Sequence, residues 1–226
     1  DLLDHVRSMG EAAGRLSLAA SGRSEAIEGT ITITASEIYS AHLLPPIVGR
    51  LRRSHPGIAV EIVASNMTMN LRRREADIAI RNVRPIDPEL LARKLRDDVA
   101  RLYAAPSYIA RLGGIRSRAD LGRADFIAFD DTDTYRNALN AHAGLDLTDR
   151  NFPVTCASHL VQWELVKQGI GIGAFPESLA EPEPAVEQVL SDLPPIVYPV
   201  WLTAHRELAT SRRVRLVFDL LAEALS

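Results

Sequence analysis

The chain has 226 residues, 46% of them apolar and 24% charged, the proportions of an ordinary globular protein; at that length one large or two modest domains are expected. A net charge of −3 excludes a general attraction to nucleic acid, and no apolar run approaches the roughly 18 residues that a membrane helix needs. Cys156 is the one cysteine, which rules out an internal disulfide and fits a reducing cytoplasm.

The opening residues Asp1–His5 lack the basic and apolar regions of a signal peptide, and no initiator Met is present, so the chain reads as a fragment or a processed product. Residues 1–27 form a first segment in which Leu2, Val6, Met9, Ala13, Leu16, Ala20 and Ile27 follow a heptad-like spacing. Gly10, Gly14 and Gly22 interrupt it. Two readings stay open: a helix pairing with another chain, or an amphipathic helix docked on its own domain.

From Gly29 the pattern alternates between strand and helix. Thr30–Thr34 reads as a strand, and residues 43–54 as a helix turning Leu44, Ile47, Val48 and Leu51 inward until His55-Pro56-Gly57 stops it. Ile58–Ala64 is a β-branched strand, Met67–Arg74 a short helix and Asp77–Arg81 a third strand. Such alternation predicts a mainly parallel sheet with right-handed crossovers. A strand pair is expected over 90–105.

A second unit then begins. Pro106–Leu112 is a helix, Ala124–Phe129 a strand, and Tyr135–Ala143 a helix ending at Gly144. Phe152–Cys156 is a strand, Ser158–Gln168 a helix capped by Gly169, and Ile170–Phe175 a strand. The proline-rich span 181–195 is expected to be an irregular loop. Ile196–Ala204 is the last strand, and a helix from about Thr210 carries a stripe of Val214, Val217, Leu220, Leu221 and Leu225. Two α/β units joined by crossing strands imply a cleft, a preferred place for ligands.

Motifs for catalysis are weak. Gly169-Ile170-Gly171-Ile172-Gly173 follows a helix and opens a strand, the reverse of a dinucleotide fingerprint, so its glycines serve as a helix cap and for close packing. There is no nucleophile elbow, and no two-His spacing with an attending carboxylate supports a metal site. Arg50, Arg52 and Arg53, and Arg72–Arg74, lie at helix C-termini, where cations suit the dipole. Arg81, at the end of a strand, either neutralises an anionic ligand bidentately or pairs with a carboxylate such as Asp77. Ile31–Ser36 followed by Leu43–Val48 places small and hydroxylated residues between a strand end and a helix start, where a small polar or anionic molecule approaches the backbone.

Taken together, Gly29-Thr30-Ile31-Thr32-Ile33, Leu43-Leu44-Pro45, Pro56–Glu61, Ala76–Ile80, Tyr103-Ala104-Ala105-Pro106, Gln168–Pro176 and Ser211–Leu221 resemble the effector-binding region of a LysR-type transcriptional regulator over residues 29–226. The resemblance implies an α/β fold of two Rossmann-like subdomains with a ligand cleft, like a type 2 periplasmic binding protein, preceded by a helix. Subdomain I would span 29–100 and 205–226, subdomain II 101–204, and residues 1–27 would be the linker and dimerisation helix. It further implies a cytoplasmic, non-enzymatic regulator that needs no cofactor or metal. Its partners would be a small-molecule effector, itself as a homodimer (a tetramer in the full-length parent), and DNA only through a winged helix-turn-helix domain absent from this sequence. A free-standing solute-binding protein of the same fold is the alternative.

Carried over position by position, the effector pocket comprises Ser36 and Glu37 after the first strand, Ser65 and Asn66 after the second, and Arg81 and Asn82 after the third. From the second subdomain it takes Phe129, Asp130, Thr132, Ser158, His159, Phe175 and Pro176. Many family members carry an apolar residue where this chain has Glu37, whose carboxylate would repel anions if it faced the cleft.

Overall fold

The computed structural model describes residues 27–66, 76–129, 131–206 and 210–226. The helices expected over 1–27 and Met67–Arg74, and the basic cluster Arg72–Arg74, lie outside them. The chain divides into two compact units, Asp1–Asp97 with Pro199–Ser226, and Asp98–Tyr198.

The first unit is built on strand β1 (Gly29–Ala35), whose Ile31 and Ile33 are buried. Ser36 ends the strand and caps a short helix, α1 (Glu37–His42), which buries Ile38 and Tyr39. Residues 37–42 had been assigned no helix from sequence; Ser36 Oγ accepts from Tyr39 N at 3.4 Å and starts the turn there. Helix α2 (Leu44–Ser54) follows with Pro45 and Pro46 in its first turn, where missing N–H groups cost no hydrogen bond. It buries Leu44, Ile47 and Leu51 and stops at His55. Arg52 reaches beyond the helix end to the carbonyls of Pro56, at 2.6 Å, and Ile58. Arg52 is an exposed clamp on the connection.

Strand β2 (Ile58–Ala64) runs parallel to β1 in register from Gly29 opposite Ile58 to Ala35 opposite Ala64. Strand β3 (Ile78–Arg81) joins the other side of β1, also parallel. Asp77 locks that edge, since its backbone N–H donates to Thr32 O at 2.9 Å and its carboxylate accepts from Thr32 N at 2.8 Å.

Strand β4 (Leu90–Ala104) passes from the first unit into the second as one continuous element of 15 residues. A strand pair was expected over 90–105. The segment contains no glycine, proline or asparagine to take the backbone through a hairpin.

The second unit continues with α3 (Pro106–Arg111), α4 (Arg118–Leu121), β5 (Ile127–Ala128) and α5 (Thr132–Ala143), which ends at the left-handed Gly144. A 3-10 turn (Asp149–Asn151), β6 (Val154–Thr155), α6 (His159–Lys167), β7 (Gly173–Pro176), α7 (Glu177–Ala180) and β8 (Glu187–Gln188) complete it. β5 pairs with β6 in parallel, and Phe126 bridges Ile172 in parallel. β4 pairs antiparallel with β7 and β8. A core of Leu102, Tyr108, Phe126, Leu139, Phe152 and Ile172 fills the unit. The span expected to be an irregular loop contains β8 and buries Val186, Val189 and Leu193. Gly171 and Gly173 are packing glycines: a Cβ would lie 2.8 Å from Asp125 O at Gly171 and 2.5 Å from the Phe175 ring at Gly173.

Strand β9 (Ile196–His205) carries the chain back and pairs antiparallel with β3, so the sheet is mixed. Helix α8 (Arg212–Leu225) closes the first unit against α2, burying Val214, Val217, Phe218, Leu221, Ala222 and Leu225.

Candidate effector site

In the first unit the residues singled out from sequence gather at the C-terminal ends of β1, β2 and β3. Ser36 is half-buried and occupied as the cap of α1. Glu37 and Asn66 hold each other: Glu37 N donates to Asn66 Oδ1 at 3.1 Å, and Asn66 Nδ2 donates to Glu37 Oε2 at 3.0 Å. Ser65 N donates to Ala35 O at 2.9 Å, extending the β1–β2 ladder into the loop. Asn82 Nδ2 donates to Tyr39 OH at 3.2 Å and to Pro199 O at 3.4 Å, tying β3 to α1 and β9.

Arg81 is the unusual member. It is 6% exposed, and its guanidinium folds onto its own sheet, with Nη2 donating to Thr34 Oγ1 at 2.8 Å and Nη1 to Ile80 O at 3.0 Å. Its Nε is buried without a hydrogen-bond partner among the described residues. Asp77 is taken up with Thr32, and no ion pair forms between Asp77 and Arg81. Burial pushes the Arg81 guanidinium below the ordinary arginine range, yet an arginine stays protonated in a protein. A buried cation without a counter-ion costs several kcal/mol of lost hydration. An anion is the missing partner that such a group calls for.

In the second unit Phe129 stacks on His159, with ring centroids 4.4 Å apart and planes at 19°. Ser158 caps α6 by accepting from Val161 N at 3.4 Å, and its own N–H points at Cys156 Sγ. Thr132 Oγ1 lies 3.2 Å from Thr155 Oγ1, so these hydroxyls join the start of α5 to the end of β6. Gln162, which sequence reasoning did not select, anchors the same region: its Nε2 donates to both Ala128 O and Cys156 O at 2.8 Å. Phe175 is 1% exposed and meets Trp163 edge-on at 4.8 Å, a packing contact. Pro176 ends β7 opposite Ala100 and caps α7. Asp130 lies outside the described residues.

Trp201 was also missed. It faces Arg81 directly in the β3–β9 register, and its Nε1 is buried without a partner. A separation of 120 positions hides that pairing from any sequence pattern.

These loop-end polar groups on an α/β frame suit ligand recognition, and the family comparison agrees. The LysR substrate-binding domain family matches residues 24–226. The chain belongs to the LysR substrate-binding domain family. Among relatives of this LysR-type domain is the HTH-type transcriptional regulator CrgA of Neisseria meningitidis serogroup B, 26% identical over 209 residues, covering 88% of this chain and 68% of CrgA. DmlR of Escherichia coli, also an HTH-type transcriptional regulator, is 25% identical over 210 residues, covering 87% of this chain and 65% of DmlR. The solved regulatory domain of CrgA superposes with a TM-score of 0.78 at 25% identity, covering 88% of this chain and 100% of that domain. Full-length AphB of Vibrio cholerae shares the fold, with a TM-score of 0.73 at 20% identity, covering 98% of this chain and 75% of AphB. The relatives are transcriptional regulators, so a LysR-type regulatory domain is the reading supported over a free-standing solute-binding protein. Among the described residues no helix is long and apolar enough to cross a membrane.

Proposed function

We propose that this chain is the effector-sensing part of a cytoplasmic LysR-type transcription factor that is not an enzyme, with effector contacts among the selected residues. The single observation that carries the reading is Arg81, a buried guanidinium without a carboxylate partner among the described residues, beside the Ser36 and Asn82 loops. Polar loop ends at the carboxyl edge of a sheet support it. Subdomain I would correspond to 29–100 with 205–226, subdomain II to 101–204. Phe175 acts behind the contact surface, since its ring is enclosed.

Effector binding changes the population of two arrangements of the regulator, limited by the effector's differential affinity for them. That change reaches DNA through a domain outside this sequence. Self-association is part of the proposal: the seam of residues 1–27, and the 43–54 helix against the 158–168 helix of a second copy, would make the chain at least dimeric.

A thermal-shift screen of small metabolites on native chain and on Ser36→Leu tests the site. Because Ser36 caps α1, the variant loses some baseline stability, and the ligand-induced increment is the quantity compared. The increment should fall by an amount equivalent to about tenfold weaker binding. Equal increments in both proteins would place the effector away from these loops.

A further inference from the structure

Arg81 and Trp201 share one more property. Thr34 lies opposite Ala79 in the β1–β3 register, and Ala79 and Arg81 lie opposite Thr203 and Trp201 in the β3–β9 register. Directly opposed residues project from the same face of a sheet. The face therefore presents the small buried residues Thr34, Ala79 and Thr203, then the two large side chains Arg81 and Trp201 side by side at its end. Each of these large side chains has a buried N–H without an acceptor, Nε of Arg81 and Nε1 of Trp201. An indole N–H and a guanidinium are donors only, so neither is satisfied by rotating or by changing tautomer. Two orphaned donors on paired residues, one of them on a cation, call for an acceptor-rich anionic group.

The neighbouring charges agree. The Arg84 guanidinium carbon sits 5.7 Å from the centroid of the Trp201 ring, adding positive charge on the aromatic face. Two acids near the strand ends have other partners, Asp77 accepting from Thr32 N and Glu37 from Asn66 Nδ2. The repulsion expected of Glu37 toward an anion is reduced by that second bond.

We infer that Arg81 and Trp201 together form a receptor for one carboxylate, so that the effector is a carboxylic acid bound through its anion. This deepens the effector-sensing reading and rests on it. A carboxylate is favoured over phosphate because one buried positive charge matches one negative charge, and the planar guanidinium edge meets two coplanar oxygens. The indole N–H takes a remaining lone pair.

The chain itself supplies the reporter. It holds two tryptophans, Trp163 and Trp201, so a nitrogen-15 correlation spectrum of the full chain shows two indole N–H signals, and Trp201→Phe assigns them. Acetate and benzoate are titrated against their uncharged amides, acetamide and benzamide, and against inorganic phosphate at matched ionic strength. The Trp201 signal should move saturably with the carboxylates while the Trp163 signal stays fixed. The amides should leave it in place, and phosphate should need at least about tenfold higher concentration for the same displacement. Arg81→Gln should weaken the carboxylate response about tenfold or more, and Arg81→Lys should fall between, because it keeps the charge but loses the planar fork. An unmoved Trp163 signal in each variant reports an intact fold.

A Trp201 signal that ignores carboxylates, answers amides equally, or is unchanged by Arg81→Gln overturns the receptor. Its failure is distinguishable from failure of the underlying reading. A metabolite whose stabilisation is lost in Ser36→Leu but kept in Arg81→Gln removes the carboxylate receptor and leaves effector sensing standing. Carboxylate displacement of the Trp201 signal in both native and Ser36→Leu chains, with no metabolite stabilising either, does the reverse.

Discussion

Glu37 and Asn66 exchange two hydrogen bonds of opposite sense, backbone N–H to amide oxygen in one direction and amide N–H to carboxylate in the other. The pair staples the loop after β2 to the first turn of α1, the two loops that carry Ser36 and Ser65. Glu37 is also well placed for the dipole, as the acidic residue in the first turn of its helix.

Asn66→Ala removes both bonds at once. With the pair part-buried, the expected loss is about 1–2 kcal/mol, read as a lower denaturation midpoint with an unchanged slope. A midpoint equal to the native one would mean that the staple contributes nothing.

Arg81→Met should behave in the opposite way. It exchanges a buried, uncompensated cation for an apolar side chain of similar length, so the ligand-free chain should be as stable as the native one or more so. Thermal unfolding in the absence of added carboxylate checks this. A large fall in Tm would show that the bonds to Thr34 and Ile80 matter more than the missing counter-ion.

Gln162→Leu keeps the volume of a side chain that is 5% exposed and deletes the donors to Ala128 O and Cys156 O. Both carbonyls lose a partner in a mostly enclosed site, which predicts a destabilisation of about 2–3 kcal/mol by chemical denaturation. A neutral outcome would mean that water replaces the amide.

Tyr135 gives the pH dependence. Its ring meets Phe152 edge-on at 6.1 Å, and burial of its hydroxyl pushes its pKa up to about 12 from the ordinary 10.0. The raised value means that the folded state keeps a proton which the unfolded state releases. Its contribution to stability is therefore complete below pH 10 and is lost as pH rises from 10 toward 12. Tyr135→Phe should flatten the alkaline fall in stability across that window by roughly 1.4 kcal/mol per pH unit, the value of one proton. An unchanged slope would assign the fall to other groups.

Much of the frame was legible because local chemistry decides it. The strand–helix alternation from Gly29, the stop at His55-Pro56-Gly57, the Ser158 cap and the ends at Gly144 and Gly169 all follow from residues acting within a few positions. Gly144 and Gly169 both take positive φ, 62° and 71°. The LysR-type resemblance stood on several such pieces in order. The failures were non-local. A strand pair was expected over 90–105, yet β4 runs through that span as one strand. Asp77 looked like a partner for Arg81, but four residues along a strand is about 13 Å, beyond ion-pair reach. The true neighbours of Arg81, Thr34 and Trp201, are set by sheet register, which sequence spacing does not display.

One tryptophan falls in each unit, Trp163 within Asp98–Tyr198 and Trp201 within Pro199–Ser226. Both have a cation near the ring, Lys167 at 5.7 Å from one and Arg84 at 5.7 Å from the other. Intrinsic fluorescence is thus divided between the units without any label. Replacing either indole with phenylalanine leaves an emission signal that belongs to a single unit. Melting curves of the two single-tryptophan chains would then show whether the halves of this sensor unfold in one step or in succession.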